Sequence, residues 1–274
     1  ELTLAFEGHG ALAAAQPLPD TIQGVLAARI DRLPEQSKRT LQTASVLGRE
    51  FPLRLLQVVS PDSANLEVQL AALKQLEFVY DRSAAEGPVY TFKHVLTQEV
   101  AYESLLSGRR QALHEAAGRA LERFYPDRIE EHCEVLAHHF SRSANKEKAL
   151  DYLELANRKA ANTNAVLDAR GYFEEAMRVL DSLPDDTARR RRRIALLVKQ
   201  AHVFVLTNGG QEYQRYLDNS EAIAKGLGDD GLLGHFYACR GHSEFMAGLA
   251  RQAAETLTEA AALCERAGNF QGAG

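Results

Sequence analysis

The chain has 274 residues, of which 45% are apolar, and it carries a formal net charge of −5 with a sequence pI near 6.0. The acidic balance excludes general binding to a nucleic-acid backbone, which needs a basic face, and the apolar share excludes wholesale disorder. No apolar run approaches the roughly 20 residues of a membrane span. Three distant cysteines without a CxxC pair are typical of a reducing compartment, so we predict a cytoplasmic protein.

The two ends of the chain carry little pattern. Residues 1–16 are rich in Ala and Gly, and we interpret them as the remnant of an upstream module. The first residue is Glu1 rather than Met, and Gly274 comes just after a helical pattern. We therefore expect these residues to be a piece of a longer protein.

Four helices are predicted in the first third of the chain. Residues 20–33 have apolar positions at helical spacing. Pro34 suits the first turn of a second helix, which we expect to stop at Gly48. Two shorter helices follow over 52–59 and 65–76.

A β-hairpin is predicted next. EFVYD at 77–81 and VYTFK at 89–93 are rich in β-branched and aromatic residues, and the loop between them contains Gly and Pro. Helices followed by a two-stranded wing are the order of a winged-helix domain, which we place at 17–108. The residues that we expect to be exposed on the helix at 65–76 have formal charges that cancel, which disfavours DNA binding; they are Glu67, Gln69, Lys74 and Gln75.

The remainder is predicted to be helical, with a connector over 109–128 and helical repeats over 129–274. Small and large residues recur 12, 16 and 19 residues after Asn157, Ala201 and Gly241. The small–large–small offsets resemble those of tetratricopeptide repeats, although the anchors are 44 and 40 residues apart and the usual period is about 34. One helix pair cannot bury its own apolar face, so the pairs should stack into an α-solenoid. The three triplets are Ala169–Phe173–Ala176, Tyr213–Leu217–Ser220 (the poorest match) and Ala253–Leu257–Ala260.

Two clusters invite a functional interpretation that we do not favour. Glu134 and His138 share a helix face, with Glu131 or His139 nearby, but HExxH is absent and no fourth ligand is fixed, so we predict no metal. The arginines of Arg189–Arg193 wrap round a predicted helix that continues to residue 204, so they cannot all face one nucleic-acid strand. We expect salt bridges to Asp185 and Asp186 instead.

Catalysis finds no support in the sequence. No GxxxxGK[ST] motif occurs, so a self-contained P-loop ATPase is excluded, and we predict no catalytic residue and no enzyme. The candidate site residue is His94, where a strand pattern gives way to a helical one. The residue types leave open a catalytic base, a metal ligand, a phosphate contact or a plain polar residue at a helix start. A phosphate suits the unpaired N–H groups and positive dipole of a helix start.

Three strings within residues 17–160 resemble the segment after the ATPase core in signal-transduction ATPases with numerous domains. They are most similar to bacterial proteins that join a class III nucleotide cyclase, an AAA-like ATPase, a winged helix and tetratricopeptide repeats, and more distantly to the maltose-regulon activator type. The strings are LPDTIQGVLAARIDRLPEQSKRTLQTASVLGREF, YTFKHVLTQEVAYESLL and LAHHFSRSANKEKALDYLELA.

This resemblance implies that an ATPase core lies upstream and that the winged helix closes its nucleotide site instead of reading DNA. It also implies that His94 contacts a phosphate of the bound nucleotide, although Lys93 and Val95 replace the flanking residues of the familiar Met-His-Asp form. No cofactor is expected in this chain, while ATP or ADP would bind the parent protein. The repeats imply an arm that binds a protein, a peptide or a small inducer.

We therefore expect a mainly α chain in which a winged-helix domain with a small β-hairpin precedes a tetratricopeptide-like α-solenoid. Its expected function is non-catalytic regulation, coupling the arm to an upstream nucleotide-binding module and to an output domain such as a nucleotide cyclase. We expect no membrane or nucleic-acid partner. Two alternatives stay open: a fragment of a DNA-binding transcriptional regulator, and a plain repeat scaffold without nucleotide coupling.

Overall fold

The computed structural model describes residues 20–60, 65–84 and 87–268. The predicted remnant at 1–16 lies outside the described residues. The chain divides into two compact units, the first ending at Tyr152 and the second beginning at Leu153. This is a division by contacts and not by fold, so the predicted domain boundaries at 108 and 128 stay predictions. Within the described residues, no helix combines the length and the apolar composition that a bilayer crossing requires.

The first unit begins with four helices at the predicted places. Pro34 precedes the second helix with a φ of −52°, and Gly48 ends it with a φ of 120°. That left-handed value explains why glycine occupies the end of this helix, because a Cβ would be strained there. The four helices are α1 Asp20–Asp31, α2 Glu35–Leu47, α3 Leu53–Val59 and α4 Leu66–Gln75.

The first unit also contains a three-stranded antiparallel sheet with the strand order β1-β3-β2. The strands are β1 Glu50–Pro52, β2 Val79–Ala84 and β3 Gly87–Phe92. The strand β1 is not predicted by the sequence pattern, because three residues ending in proline show no alternation and gain strand character only by pairing with β3. The predicted loop was also too long, since residues 82–84 and 87–88 belong to the paired strands.

Four further helices follow β3 in the chain. They are α5 Val95–Glu103, α6 Ser107–Phe124, α7 Cys133–Ser141 and α8 Lys146–Asn162, with a single 3-10 turn at Pro126–Arg128 between α6 and α7. The last of them, α8, crosses the division between the units.

The first unit has one continuous apolar core that draws residues from α1 to α8 and from the sheet. Phe51 lies at its centre, fully buried, with its ring 5.9 Å from that of Tyr90 and 5.7 Å from that of Phe92. Gly118 on α6 lets α7 approach closely, because a Cβ there would lie 2.7 Å from the ring of Phe140. Residues far apart in sequence therefore share this core.

The second unit consists of helices alone among its described residues. The prediction of one continuous helix over 189–204 is wrong. The helix is interrupted at residues 198–200, where the side chain of Gln200 is buried. The helices are α9 Val166–Ser182, α10 Thr187–Leu197, α11 Ala201–Leu206, α12 Gly210–Gly226, α13 Asp230–Met246 and α14 Ala250–Arg266.

The broken pair α10 and α11 forms a hairpin with α12, and α13 forms one with α14. The end of α8 joins α9 as a further helix pair through a hydrogen bond from Asn157 to Ala169. At the first crossing, Asn157 donates to the backbone oxygen of Ala169 at 2.7 Å. At the third, a Cβ on Gly241 would lie 2.6 Å from Cγ of Leu257. The residues at the predicted offsets are all buried except Leu257, which is 42% exposed.

Candidate functional site

His94 lies where β3 has ended and α5 begins. Its backbone is extended, with φ −131° and ψ 136°, and its oxygen accepts a hydrogen bond from Thr97 N at 3.0 Å. The imidazole is exposed, and within the described chain it makes no capping hydrogen bond to α5. The structure thus places His94 at the strand–helix junction that the sequence predicted, with its side chain open to solvent.

Charged groups of both signs surround this junction. Glu77, in the turn between α4 and β2, has a left-handed φ of 59° and an ion pair of 2.9 Å with Lys93. The hydrogen bond and charge of Lys93 lower the pKa of Glu77, and the charges of Arg29 and His94 add smaller effects in the same direction. The carboxylate of Glu77 therefore pairs with Lys93 next to His94.

The charge and exposure of the α4 side chains bear on whether this unit could bind DNA. Lys74 forms an ion pair of 2.5 Å with Asp81 on β2, and their hydrogen bond raises the pKa of Lys74 and lowers that of Asp81. The prediction that Gln69 is exposed is wrong, because Gln69 is buried and accepts a hydrogen bond from Thr40. Helical spacing alone could not reveal a partner 29 residues earlier. Glu67, Lys74 and Gln75 are exposed as predicted, beside Val68, which is 71% exposed.

The histidine-rich segment on α7 is not arranged as a metal centre. His139 points inward, and its Nδ1 lies 3.0 Å from Nδ1 of His114 on α6. Among the residues that the structure describes, no group of three or more His, Cys, Asp and Glu side chains could hold a metal ion. Glu134 and His138 share the helix α7, but they do not converge with other ligands on one point.

All five arginines of Arg189–Arg193 are in ion pairs. Arg189 and Arg190 bind Asp186 and Asp185, each at 2.5 Å, which confirms the predicted pairs. The other three reach carboxylates elsewhere in the second unit: Arg191 pairs with Asp229, Arg192 with Glu154 and Arg193 with Asp181. The run therefore ties neighbouring hairpins together, and its charge is largely neutralised.

A second charged cluster lies between α12, α13 and α14. Arg240 forms ion pairs with Glu221 at 2.6 Å, with Glu244 at 3.1 Å and with Asp218 at 3.3 Å. Glu244 is buried and also accepts a hydrogen bond from Gln252. These bonds and charges raise the pKa of Arg240, although its burial opposes that effect. The cluster fixes three helices in register and has the character of a structural tie.

Among the described residues of the second unit, six large exposed apolar side chains lie in or next to the turn inside a hairpin, and a seventh, Leu257, lies in the middle of α14. Apolar pairs just before the turns, such as Val205–Leu206 and Phe245–Met246, are the sequence signal of this feature. Apolar surface that is exposed at equivalent positions of successive hairpins is a common mark of an interaction site. The residues are Leu167, Val205, Leu206, Phe245, Met246 and Leu249.

Comparison with known proteins gives two matches. No family model matches the chain. An uncharacterized protein of Rhizobium meliloti (strain 1021) is 25% identical over 177 residues, which are 64% of this chain and 17% of that protein. A crystal structure of a signal transduction ATPase with numerous domains, with a tetratricopeptide repeat sensor, from Pyrococcus horikoshii, aligns with 92% of this chain and 41% of that one, at 13% identity and a TM-score of 0.34. The chain thus spans less than half the length of either protein.

Proposed function

We propose that this chain is a non-catalytic regulatory segment of a signal-transduction ATPase. In this proposal a winged-helix domain joins an upstream nucleotide-binding module to a tetratricopeptide-like arm. ATP or ADP binds the upstream module and not this chain. The observation that carries the proposal is a series of helix pairs with partner residues at the same three offsets after Asn157, Ala201 and Gly241, all of them buried except Leu257.

These offsets support an arm because eight of the nine partner residues are buried among the helices of the second unit. Phe173 and Leu217, at the same offset in the first and second hairpins, are fully buried. Leu257 at that offset in α14 is 42% exposed. Stacked hairpins present an extended surface, and the exposed apolar ends of α11 and α13 give that surface affinity for a protein, a peptide or a small inducer.

The order of elements in the first unit supports a winged helix. The chain runs α2, β1, α3, α4, β2, β3, and β1 pairs with β3 in the sheet order β1-β3-β2. Three helices with a sheet of this kind are the parts of a winged-helix domain, in which the third helix commonly reads DNA. Here α4 has Lys74 neutralised by Asp81 and an exposed Val68. A protein contact suits this helix better than a DNA backbone does.

The proposed mechanism is coupling. A ligand that prefers one conformation of the arm shifts the upstream module toward the conformation that goes with it, and so controls an output domain such as a nucleotide cyclase. Reciprocity is required, so the nucleotide state changes the affinity of the ligand by the same factor. His94 is the group of this chain that we assign to the nucleotide phosphate, at the start of α5.

The test is nucleotide release from the full-length protein that carries these residues. A hydrogen bond to a charged phosphate is worth about 1.5–3 kcal/mol, so His94→Ala should release a fluorescent ADP analogue about tenfold faster or more. His202→Ala, which changes an exposed histidine of α11, should leave the rate unchanged. Equal rates for wild type and His94→Ala would contradict the nucleotide contact and favour the plain scaffold.

The DNA-binding alternative is separated by a different assay. A gel shift with mixed-sequence duplex DNA at physiological salt should give no shifted band, because the exposed charges of α4 cancel or are paired. A salt-sensitive shift that Lys74→Ala weakens would instead support a transcriptional regulator.

A further inference from the structure

Two buried imidazoles join three successive helices of the first unit. His114 on α6 and His139 on α7 are each 1% exposed, and their Nδ1 atoms lie 3.0 Å apart. The other ring nitrogen of His114, Nε2, lies 3.0 Å from the hydroxyl of Tyr102 on α5. One hydrogen-bonded chain thus runs from α5 through α6 to α7.

The hydrogen bonds of this chain are all satisfied when both rings are neutral. A hydrogen bond between two Nδ1 atoms holds one proton, so one ring donates and the other accepts. If the hydroxyl of Tyr102 donates to Nε2 of His114, then Nδ1 of His114 carries the proton and donates to His139. Adding a proton to the accepting ring would set two N–H groups against each other at 3.0 Å, and the bond would be lost.

Two arginines disfavour a positive charge on either ring. The charged groups that act on the pair are Arg110 on α6 and Arg142 just after α7, both cationic. The ring of His138 lies 5.7 Å from that of His114 and 5.4 Å from that of His139. Burial is the main cause that lowers the pKa of His139 to about 3 and that of His114 to about 2, and the arginines add to it.

We propose that the His114–His139 pair is an acid-sensitive joint, which holds α7 against α6 and α5 while both rings are neutral and opens when they are protonated. The direction of the pH effect follows from linked proton binding. Both histidines bind protons near pH 6.5 when the joint is open, and only at lower pH when it is closed. The joint is therefore fully closed above about pH 6.5, and the closed state loses stability as the pH falls below that value.

The position of the joint gives this sensitivity a consequence. The helix α6 covers most of the predicted connector at 109–128, and α7 begins the region predicted to carry the repeats. Opening between these helices would loosen the segment through which any signal along the chain must pass. This inference stands whether or not the chain belongs to an ATPase.

Hydrogen exchange between pH 7.5 and 5.5 tests the joint, with rates corrected for the intrinsic chemistry of exchange. Each open-state imidazole contributes about tenfold over this range, so the opening constant of amides in α6 and α7 should rise about 100-fold in the wild-type chain. His139→Asn keeps a polar atom near the position of Nδ1 but does not titrate, so the rise should fall to about tenfold. His202→Asn, which changes an exposed histidine of α11, should retain the full rise.

Three outcomes would overturn the proposal. The first is a pH dependence in His139→Asn equal to that of the wild type, and the second is a wild-type rise below threefold. The third, like the second, comes from the unmodified chain, so it does not depend on the folding of a variant. Imidazole nitrogen shifts at pH 5.5 should be those of neutral rings for His114 and His139, and a protonated ring in the folded chain would refute the joint.

Discussion

The two units bury their apolar side chains in different ways. Before Tyr152, one core gathers residues from eight helices and a sheet, and hydrogen bonds span long stretches of sequence, as from Gln98 Nε2 to the backbone oxygen of Ser45 at 3.0 Å. After Leu153, the buried residues lie between neighbouring hairpins, as where the ring of Phe173 lies 5.6 Å from that of Phe204. A shared core should fail as a whole, whereas a stack should fail locally.

The largest expected effect comes from Phe51→Ala. Removing a fully buried ring that contacts Tyr90 and Phe92 should cost about 3–5 kcal/mol of unfolding free energy. Hydrogen exchange should show the loss in every helix and strand from α2 to α7, because they share one core. The matched truncation Phe173→Ala should cost a similar amount, with the loss concentrated in α9, α11 and α12. Equal spreading of both losses over the whole chain would remove the contrast between the units.

Asn157→Ala should cause the next largest loss of unfolding free energy. The loss should be confined to the second unit. Asn157 binds the backbone oxygen of Ala169 and exchanges two hydrogen bonds with the side chain of Gln200, at 3.1 and 3.0 Å. Truncation leaves these buried groups without that partner, which costs about 2–4 kcal/mol. Chemical denaturation followed by circular dichroism measures the loss. A loss below 1 kcal/mol would mean that the crossing does not depend on this network.

Gly234→Ala sharpens the comparison at the third hairpin, with a smaller effect. An added Cβ would lie 2.6 Å from Sγ of Cys264 and 3.2 Å from the backbone oxygen of Ala260, so α13 and α14 would have to separate. The expected cost is about 1–3 kcal/mol. Gly171→Ala is the control, because a Cβ there meets nothing within 4 Å, and helical propensity should make it stabilising by about 0.5–1 kcal/mol. Thermal unfolding of both variants measures the difference in sign, and two variants of the same sign would contradict the close crossing.

The parts of the fold that the sequence predicts are those set by residues close together in the chain. Pro34 and Gly48 bracket α2 because their backbone preferences act locally, and the small residues of the crossings repeat at fixed offsets. The missed features depend on partners remote in sequence. The strand β1 needs β3, and Gln200, at the break after α10, needs Asn157, 43 residues earlier. Such pairings leave no trace in local periodicity.

The candidate sites follow the same rule. The place of His94 was predictable because a strand pattern and a helical pattern meet there, and the structure puts it between β3 and α5. The His114–His139 pair was not, since its members are 25 residues apart on different helices. The sequence indicates a buried apolar stripe on α7 and a possible metal ligand set that we do not favour, but not the contact with His114. In the structure, the buried His139 of that segment forms a hydrogen bond to His114 on α6.

The most direct test of the contrast is native-state hydrogen exchange on the unmodified chain in increasing urea at pH 7.5. Amides of α2, β3, α6 and α7 should converge on one opening free energy and one urea dependence, because one core holds them. Amides of α9, α12 and α14 should give separate values that change from hairpin to hairpin. A single opening common to all helices from 20 to 268, or independent opening of α2 and β3, would contradict the account.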